Sequence, residues 1–382
     1  MSPKTRALFY VLLLVPLDVV VGVSVTLATA IGLLIRALGK KSGSPPPISR
    51  YPSATIQILN WDGKHLLEES VPAALEAVKK TEGDHEVVVV DNGSTDGSVD
   101  FIRLQYPEVR IVTLRRNHRF TGGNNRGLET SEKDVVVFLN NDMVVDCNFL
   151  DPLLSGFRDP SVFAMTSQVF FRDKTRRREE TGKTRGSYED GFIRLWHDDI
   201  EETPGPVGPI PVFWGGGGSC AFDRKKYRAI GGLDTLFDPF YVEDTDISYQ
   251  AWKRGWKCLL APESRVVHRH RATTQVKFGA SFVDNTIRRN QYLFIWKNLT
   301  EWPMIIEHIT SLPRTKGRFM VEGDARFEAI AFLRAAIRLP FACWRRIICM
   351  QQHMVSDSTV LRISNLDDSH EVLDSLDPLP PA

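Results

Sequence analysis

Apolar residues along the chain follow different rhythms in its three parts. From Leu8 to Ile35 they form one run broken by a single charge, Asp18. A helix needs about 20 apolar residues to cross bilayer hydrocarbon, and this run exceeds that. From Ala54 onward, short apolar runs alternate with amphipathic stretches. The runs predict strands at Ala54–Leu59, Glu86–Val90, Val109–Leu114 and Asp134–Leu139. Helical spacing through Leu67, Val71, Leu75 and Val78 predicts a helix over Lys64–Lys79, and Asp96–Gln105 suits a shorter one. Such alternation predicts an α/β fold, a mostly parallel sheet with helices on both faces. Beyond Asn298, Ile330, Leu333, Ile337, Phe341, Trp344 and Ile348 recur three and four apart, accompanied by Arg334, Arg338, Arg345 and Arg346. A basic amphipathic helix of this kind lies in an anionic membrane interface or packs on a soluble domain. Pro340 is expected to kink it.

These rhythms divide the chain into an anchor (1–39), a Ser-, Gly-, Pro- and Lys-rich linker (40–53), an α/β domain (54–300), membrane-associated amphipathic helices (301–355) and an acidic tail (356–382) expected to be disordered. The rival to an anchor is a cleaved signal peptide, since Ala28-Thr29-Ala30 resembles a cleavage site. Ile31 to Ile35 continue the apolar stretch past that site, which favours an uncleaved anchor. Pro16, Asp18 and Gly22 leave a kinked or interfacial helix open. Lys4 and Arg6 precede the run, and Arg36, Lys40, Lys41 and Arg50 follow it. That excess predicts a single inner-membrane anchor with the domain on the cytoplasmic side.

Over 382 residues the net charge is +1, which gives no bulk attraction to nucleic acid. The five cysteines form no C-x-x-C pair, so a disulfide framework or zinc site is not expected, and reduced thiols fit a cytoplasmic domain.

In an α/β sheet, ligands bind beyond the carboxyl ends of the strands. There the sequence places Asn60-Trp61-Asp62-Gly63, then Asp91-Asn92-Gly93-Ser94-Thr95-Asp96-Gly97, then Asn140-Asn141-Asp142. Asp91 can accept from ribose hydroxyls or a base N–H, or it can close a turn. The loop after it misses the calcium-loop spacing. Asp142 suits Mg²⁺ or Mn²⁺ holding a diphosphate, or a surface turn. Glu243-Asp244-Thr245-Asp246 opens a helical pattern, and one of its carboxylates can take a proton from an acceptor while others cap. His268 ends another apolar run and is a candidate metal ligand. Arg172 to Arg185 holds seven basic residues, a mobile lid or a solvated loop. Pro204 to Gly218 ends in four glycines that allow close approach to a ligand, or flexibility. Trp214, Gly216, Gly217 and Glu243 are candidates there for an acceptor contact or lid. Dinucleotide-binding, P-loop and hydrolase-elbow motifs are absent.

Together these segments resemble glycosyltransferase family 2, particularly its rhamnosyltransferase-like branch. The likeness rests on Ile58-Leu59-Asn60-Trp61, Val89 to Ser98, Phe120 to Gly127, Phe138 to Asp142 and Tyr241 to Asp246. It implies a GT-A (Rossmann-like) nucleotide-sugar-binding fold and inverting, metal-dependent sugar transfer from a nucleotide-sugar donor. By resemblance, Asp91 contacts the donor nucleotide, with Asn60, Asn92, Gly122, Gly123, Asn124 and Asn141 on the donor side. Asp142 matches the last residue of the D-x-D motif, Asp244 the general base, and His268 a metal-binding histidine. The first D-x-D position is Asn140, a weaker neutral ligand. A glycan or lipid-linked acceptor at a membrane is the expected partner. Two alternatives stand beside this: a nucleotidyltransferase, for which the loop after the first strand is a poor match, and a non-catalytic glycan- or nucleotide-binding protein, against which both Asp142 and Asp244 speak.

Overall fold

The computed structural model describes residues 2–39, 45–46, 48, 52–173, 178–201, 208–269 and 278–367. Helix α1 (Pro3–Leu38) comes first. The linker expected at 40–53 lies mostly outside the described residues. Strands β1 (Ala54–Asn60), β2 (His85–Asp91), β3 (Arg110–Thr113) and β4 (Val135–Asn140) follow, joined by helices α2 (Lys64–Lys80), α3 (Ser98–Gln105) and α4 (Arg119–Glu129). They line up as β3-β2-β1-β4, all parallel. Asn60 pairs with Asp91 and Leu59 with Asn140, so the three carboxyl ends finish level. Both sides of these strands are apolar. Val135, Val137 and Leu139 enter one core and Val136 and Phe138 the other, as a sheet covered on both faces requires.

The second half is mixed. It contains β5 (Met143–Val145), α5 (Leu150–Gly156), β6 (Val162–Phe171), the hairpin β7 (Thr184–Glu189) and β8 (Phe192–His197), β9 (Ile210–Pro211), β10 (Ser219–Asp223), α6 (Arg224–Ile230), α7 (Glu243–Lys253) and β11 (Lys257–His268). The sheet continues β4-β10-β6-β11-β5, with β10 antiparallel to both neighbours and β5 antiparallel to β11. The expectation of a mostly parallel sheet therefore holds for its first half alone. Apolar periodicity carries no information about strand direction, and β10 follows a glycine run without apolar pattern.

Helices α8 (Ala280–Asn298), α9 (Trp302–Glu322), α10 (Ala325–Ala336), α11 (Leu339–Met350) and α12 (Asp357–Ile363) complete the chain. Their residues Tyr292, Trp296, Phe332, Val360 and Ile363 share one apolar core with Val21 and Val25 of α1 and Phe138 and Phe222 of the sheet. Packing is thus continuous across the boundary expected at residue 300. Pro340 does not kink a helix; it sits in the first turn of α11, where its missing N–H costs nothing. Ile330, Leu333, Ile337, Phe341, Trp344 and Ile348 all remain exposed, but Arg346, read as one of the basic residues of that face, is buried. It donates to the Trp296 and Leu299 carbonyls and to Thr29 Oγ1.

The tail beyond Ser356 is not disordered over its described part. Asp357 is fully buried. It accepts from Tyr249 Oη at 2.6 Å, Lys253 Nζ at 2.7 Å and the backbone N–H groups of Thr300 and Glu301, each at 2.7 Å. Burial pushes its carboxyl up, but Lys253 and these hydrogen bonds outweigh it and hold the group below the ordinary carboxylate value. Residues 368–382 lie outside the described residues.

Helix α1 is long and apolar enough to cross a membrane, with a mean hydropathy of 2.4. It lies against α9, α10 and α11. A Cβ on Gly22 would stand 2.9 Å from Ile309 Cγ2, and one on Gly32 2.7 Å from Met350 Sδ, so glycine sets the approach at both crossings. The buried Asp18 pairs with the buried Lys316, whose ammonium lies 3.8 Å from the Phe332 ring centroid.

Removing one partner of a buried ion pair strands the other. Lys316→Met is therefore expected to cost about 3–5 kcal/mol, and adding Asp18→Leu should restore most of the loss. Unfolding in neutral detergent checks both. Because the Asp357 carboxyl is depressed in the fold, its contribution is present above the ordinary value of about 4 and lost as pH falls through the depressed one. The stability gap between wild type and Asp357→Asn should accordingly shrink on acidification, measured by chemical denaturation across pH.

Candidate active site

The level strand ends bring Asn60, Asp91 and Asn141 together. Asn60 is fully buried; its Oδ1 accepts from Asn141 Nδ2 at 2.8 Å and its Nδ2 donates to Ser94 Oγ at 3.2 Å. Asp91 is 3% exposed, and its Oδ2 accepts from the Ser94 backbone N–H at 3.2 Å, closing a turn. Its Oδ1 is buried with no hydrogen-bond partner among the described residues. Leaving a charged acceptor unpaired in the interior costs about 1–3 kcal/mol or more. The position therefore suits a ligand bringing a hydroxyl or N–H, and Asp91 can close the turn with one oxygen while offering the other.

Three residues expected on the donor side turn out to seat the scaffold. Asn92 donates to Asn117 Oδ1 and the Arg119 carbonyl and accepts from the His118 backbone, pinning the loop before α4. A Cβ on Gly123 would stand 2.6 Å from Leu59 Cδ1, so this glycine lets α4 close on β1. Asn124 Oδ1 accepts from Gln57 Nε2 at 3.0 Å beneath the same helix. Gly122 lies on the other flank, beside His118 and Arg126.

Antiparallel pairing of β5 with β11 sets Met143 opposite His268. Asp142, one residue earlier, is thereby placed with its Oδ2 3.3 Å from His268 Nε2. The other ring nitrogen, Nδ1, lies 2.9 Å from Glu180 Oε2. Burial opposes charge on this imidazole, but the two carboxylates outweigh it and raise its pKa to about 9. Glu180 had no signal in the sequence; it sits within the basic segment read as a mobile lid or a solvated loop. Part of that segment, 174–177, lies outside the described residues. Its last member, Arg185, is no lid residue: it is buried and donates to the carbonyls of Pro211, Ser364 and Leu366.

Among the described residues no group of three or more His, Cys, Asp or Glu side chains forms a complete metal cage. Asp142 and His268 offer a carboxylate and an imidazole side by side. That pair fits a divalent ion that draws its remaining ligands from a diphosphate and water. Asn140 lies under the glycine loop, its Nδ2 2.9 Å from where a Cβ on Gly218 would sit.

The loop Gly215–Gly218 crosses between these groups and α7. Gly217 N–H donates to Asp244 Oδ2 at 3.1 Å, and a Cβ there would stand 3.1 Å from the Phe120 ring. A Cβ on Gly218 would strike Met143 Cε at 2.7 Å, whereas one on Gly216 meets open space. Trp214 instead belongs to the core; Thr184 Oγ1 clasps both its N–H and its carbonyl. Asp244 is half-buried, and burial raises its carboxyl above the ordinary value although Gly217 and Thr245 N–H groups pull it down. Its neighbour Glu243 is buried, and burial together with Asp244 raises it well above the usual range. Asp246 is spent otherwise, accepting from Lys297 Nζ at 2.6 Å and Asn298 Nδ2 at 2.8 Å.

Just before these acids, Tyr241 and Val242 adopt φ of 69° and 77°. Positive φ at a β-branched residue is costly, about 1–3 kcal/mol, and persists where surroundings enforce it. Here Asn290 Nδ2 donates to the carbonyls of Phe237, Phe240 and Tyr241. No sequence motif pointed to Asn290.

Residues 61–230 match the family Glycosyl transferase family 2, a stretch that runs from the end of β1 to α6. The match ends before Asp244 and His268. The chain is 24% identical over 247 residues to N-acetylglucosaminyl-diphospho-decaprenol L-rhamnosyltransferase of Mycobacterium tuberculosis, covering 58% of this chain and 78% of that protein. It is 26% identical over 199 residues to N-acetylgalactosaminyltransferase 6 of Drosophila melanogaster, covering 49% of this chain but only 29% of the fly protein. Among solved structures it is similar to GalNAc-T7 with UDP, GalNAc and Mn²⁺, at a TM-score of 0.49 and 16% identity, covering 72% of this chain and 57% of that one.

Asp91→Asn keeps the turn acceptor and changes the unpaired oxygen's chemistry. It is expected to leave the melting temperature near wild type and to weaken nucleoside diphosphate binding about tenfold, roughly 1.4 kcal/mol, measured by calorimetric titration.

Proposed function

We propose that the protein is an inverting, metal-dependent glycosyltransferase that moves a sugar from a nucleotide-diphosphate donor to a hydroxyl of a lipid-linked glycan. The observation that carries this reading is Asp244, a half-buried carboxylate with a raised pKa, held by the Gly217 N–H beside the strand ends that bear Asp91 and Asp142. The nucleotide lies over Asn60, Asp91 and Asn141. Asp142 and His268 would hold Mg²⁺ or Mn²⁺, which would supply positive charge to the diphosphate. Asp244 takes the acceptor proton as the hydroxyl oxygen bonds to the anomeric carbon. The bond from that carbon to the diphosphate oxygen breaks on the opposite face, and the nucleoside diphosphate leaves.

The lipid-linked acceptor is favoured by the relative named as acting on a diphospho-decaprenol, which this chain covers over most of its length. It is favoured too by α1. Cleavage after Ala30 would remove Asp18 and Thr29 from the buried Lys316 and Arg346, so the folded protein needs the helix retained. Arg36, Lys40, Lys41 and Arg50 after the apolar run support an inner-membrane anchor with the domain in the cytoplasm.

The test is nucleoside diphosphate release from a panel of nucleotide sugars, with detergent-solubilised protein and a membrane lipid extract. Release should depend on Mn²⁺ or Mg²⁺ and vanish in EDTA. Asp244→Asn should lower kcat about 100- to 10,000-fold with the fold intact. With Asp244 as base, kcat/KM should rise with pH through a value above the ordinary carboxylate one of about 4. Unchanged turnover in Asp244→Asn would refute the base assignment.

A further inference from the structure

Four arginines lie around the loop that leads to the candidate base, and one of them pairs with its carboxylate Asp238. Arg119 Nη1 lies 3.2 Å from Asp238 Oδ2. Arg289 Nη2 donates to the Phe237 and Asp238 carbonyls, and Arg338 Nη1 to the Leu236 and Asp238 carbonyls. Arg334 stacks 5.2 Å from the Phe282 ring centroid and donates to Asn285 Oδ1. Among the described residues Asp238 is the one carboxylate ion-paired with any of the four. Burial and then the charges of Arg338 and Arg334 push Arg289 down to about 9. The cluster thus repels itself, an arrangement that persists where an anion relieves it.

A purely structural reading accounts for part of this. Arg289 is buried, and together with Arg338 it holds the loop that runs into Glu243 and Asp244. It does not account for Arg119, whose side chain is 57% exposed, or for Arg334, which touches none of the loop's carbonyls in these contacts. Arg119 borders the site: Phe120, next to it, faces Gly217, whose N–H is held by Asp244.

On its other side the cluster opens onto apolar surface. Ile330 and Arg334 lie four apart on α10, Arg338 caps the start of α11 and Phe341 follows in its first turn, and Ile337 and Phe341 are 76% and 67% exposed. Phe282, under Arg334, and Phe278, stacked on it, are also exposed and pack with Phe240. Helix α1, against the same helices, adds its exposed Leu12, Leu13, Val19 and Val23.

Building on the lipid-linked acceptor of the proposed function, we propose that Arg334, Arg338 and Arg119 bind the phosphate groups of that lipid, its chain lying over Ile330, Ile337 and Phe341. Bidentate guanidinium forks suit phosphate oxygens, and an apolar stripe beside them suits a polyisoprenoid chain. The phosphate is then fixed on the flank of Asp244, which presents the adjoining sugar to the base. Asp238 Oδ1, without a hydrogen-bond partner among the described residues, can accept from a hydroxyl of that sugar.

The test is calorimetric titration of the full chain in neutral detergent with EDTA present, using farnesyl diphosphate, farnesol and inorganic pyrophosphate. Farnesyl diphosphate should bind at least tenfold more tightly than either fragment. Arg334→Gln should weaken it about tenfold and Arg334→Lys less, with UDP, GDP and dTDP binding unchanged. Arg119→Gln, on an exposed side chain, carries the test if Arg334→Gln melts early. Equal binding by wild type and both glutamine variants overturns the proposal. So does farnesol binding as tightly as farnesyl diphosphate, since the phosphate is then not read. Pyrophosphate binding as tightly as farnesyl diphosphate overturns the lipid assignment and leaves a free-diphosphate site. The assay needs no turnover. Arginine-dependent binding with no sugar transfer refutes the enzymatic reading alone, and transfer without arginine dependence refutes this one alone.

Discussion

Asp142 and His268 lie far apart in the chain and meet because β5 runs antiparallel along β11. That pairing fixes more than two side chains. The Arg269 backbone N–H donates to the Asp142 carbonyl at 3.0 Å, so the loop leaving β4 is tied to the far half of the sheet. The Gly215–Gly218 loop is confined in turn, since Gly218 has Met143 of β5 beneath it. Gly217, next to it, aims its N–H at Asp244. A slip of one residue between β5 and β11 would turn Met143 and His268 to opposite faces. The carboxylate pair on His268, the position of the glycine loop and the hold of that loop on Asp244 would be lost together.

The remaining framework is held by charges that the core has enclosed. Asp357 joins α7, the start of α9 and the chain's last described helix, while Lys316 and Arg346 reach across to α1. Buried pairs of this kind add little net stability over an apolar replacement but punish any arrangement that leaves one member alone. They select one packing of the helices. The aromatic side chains around them, Tyr292, Trp296 and Phe332, stack edge to face and supply the apolar area.

Much of this was legible in the sequence where periodicity or chemistry has a local signature. The first four strands and α2 and α3 stand where the apolar runs placed them, because each is buried on a face its own spacing defines. Asp91, Asp142, Asp244 and His268 were legible as strand-end or helix-start polar residues. The scaffold contacts of Asn92, Gly123 and Asn124 were not legible, because an amide or glycine at a strand end serves packing as readily as a ligand. Glu180 and Asn290 were not legible, since their roles exist only through partners distant in sequence. The same holds for Arg346 and Asp357: a charge buried by tertiary pairing has the same local pattern as one in water.

The docking of α1 has a consequence for the order of events during synthesis. Lys316 follows Asp18 by 298 residues, and Arg346 follows Thr29 by 317. At roughly 5–20 residues per second, the first helix leaves the ribosome many seconds before the side chains that neutralise and cap its polar face exist. Throughout that interval its apolar side needs shelter that the rest of the chain does not yet supply. The segment is, by this timing, a half-finished joint that stays open until the last helices arrive to close it.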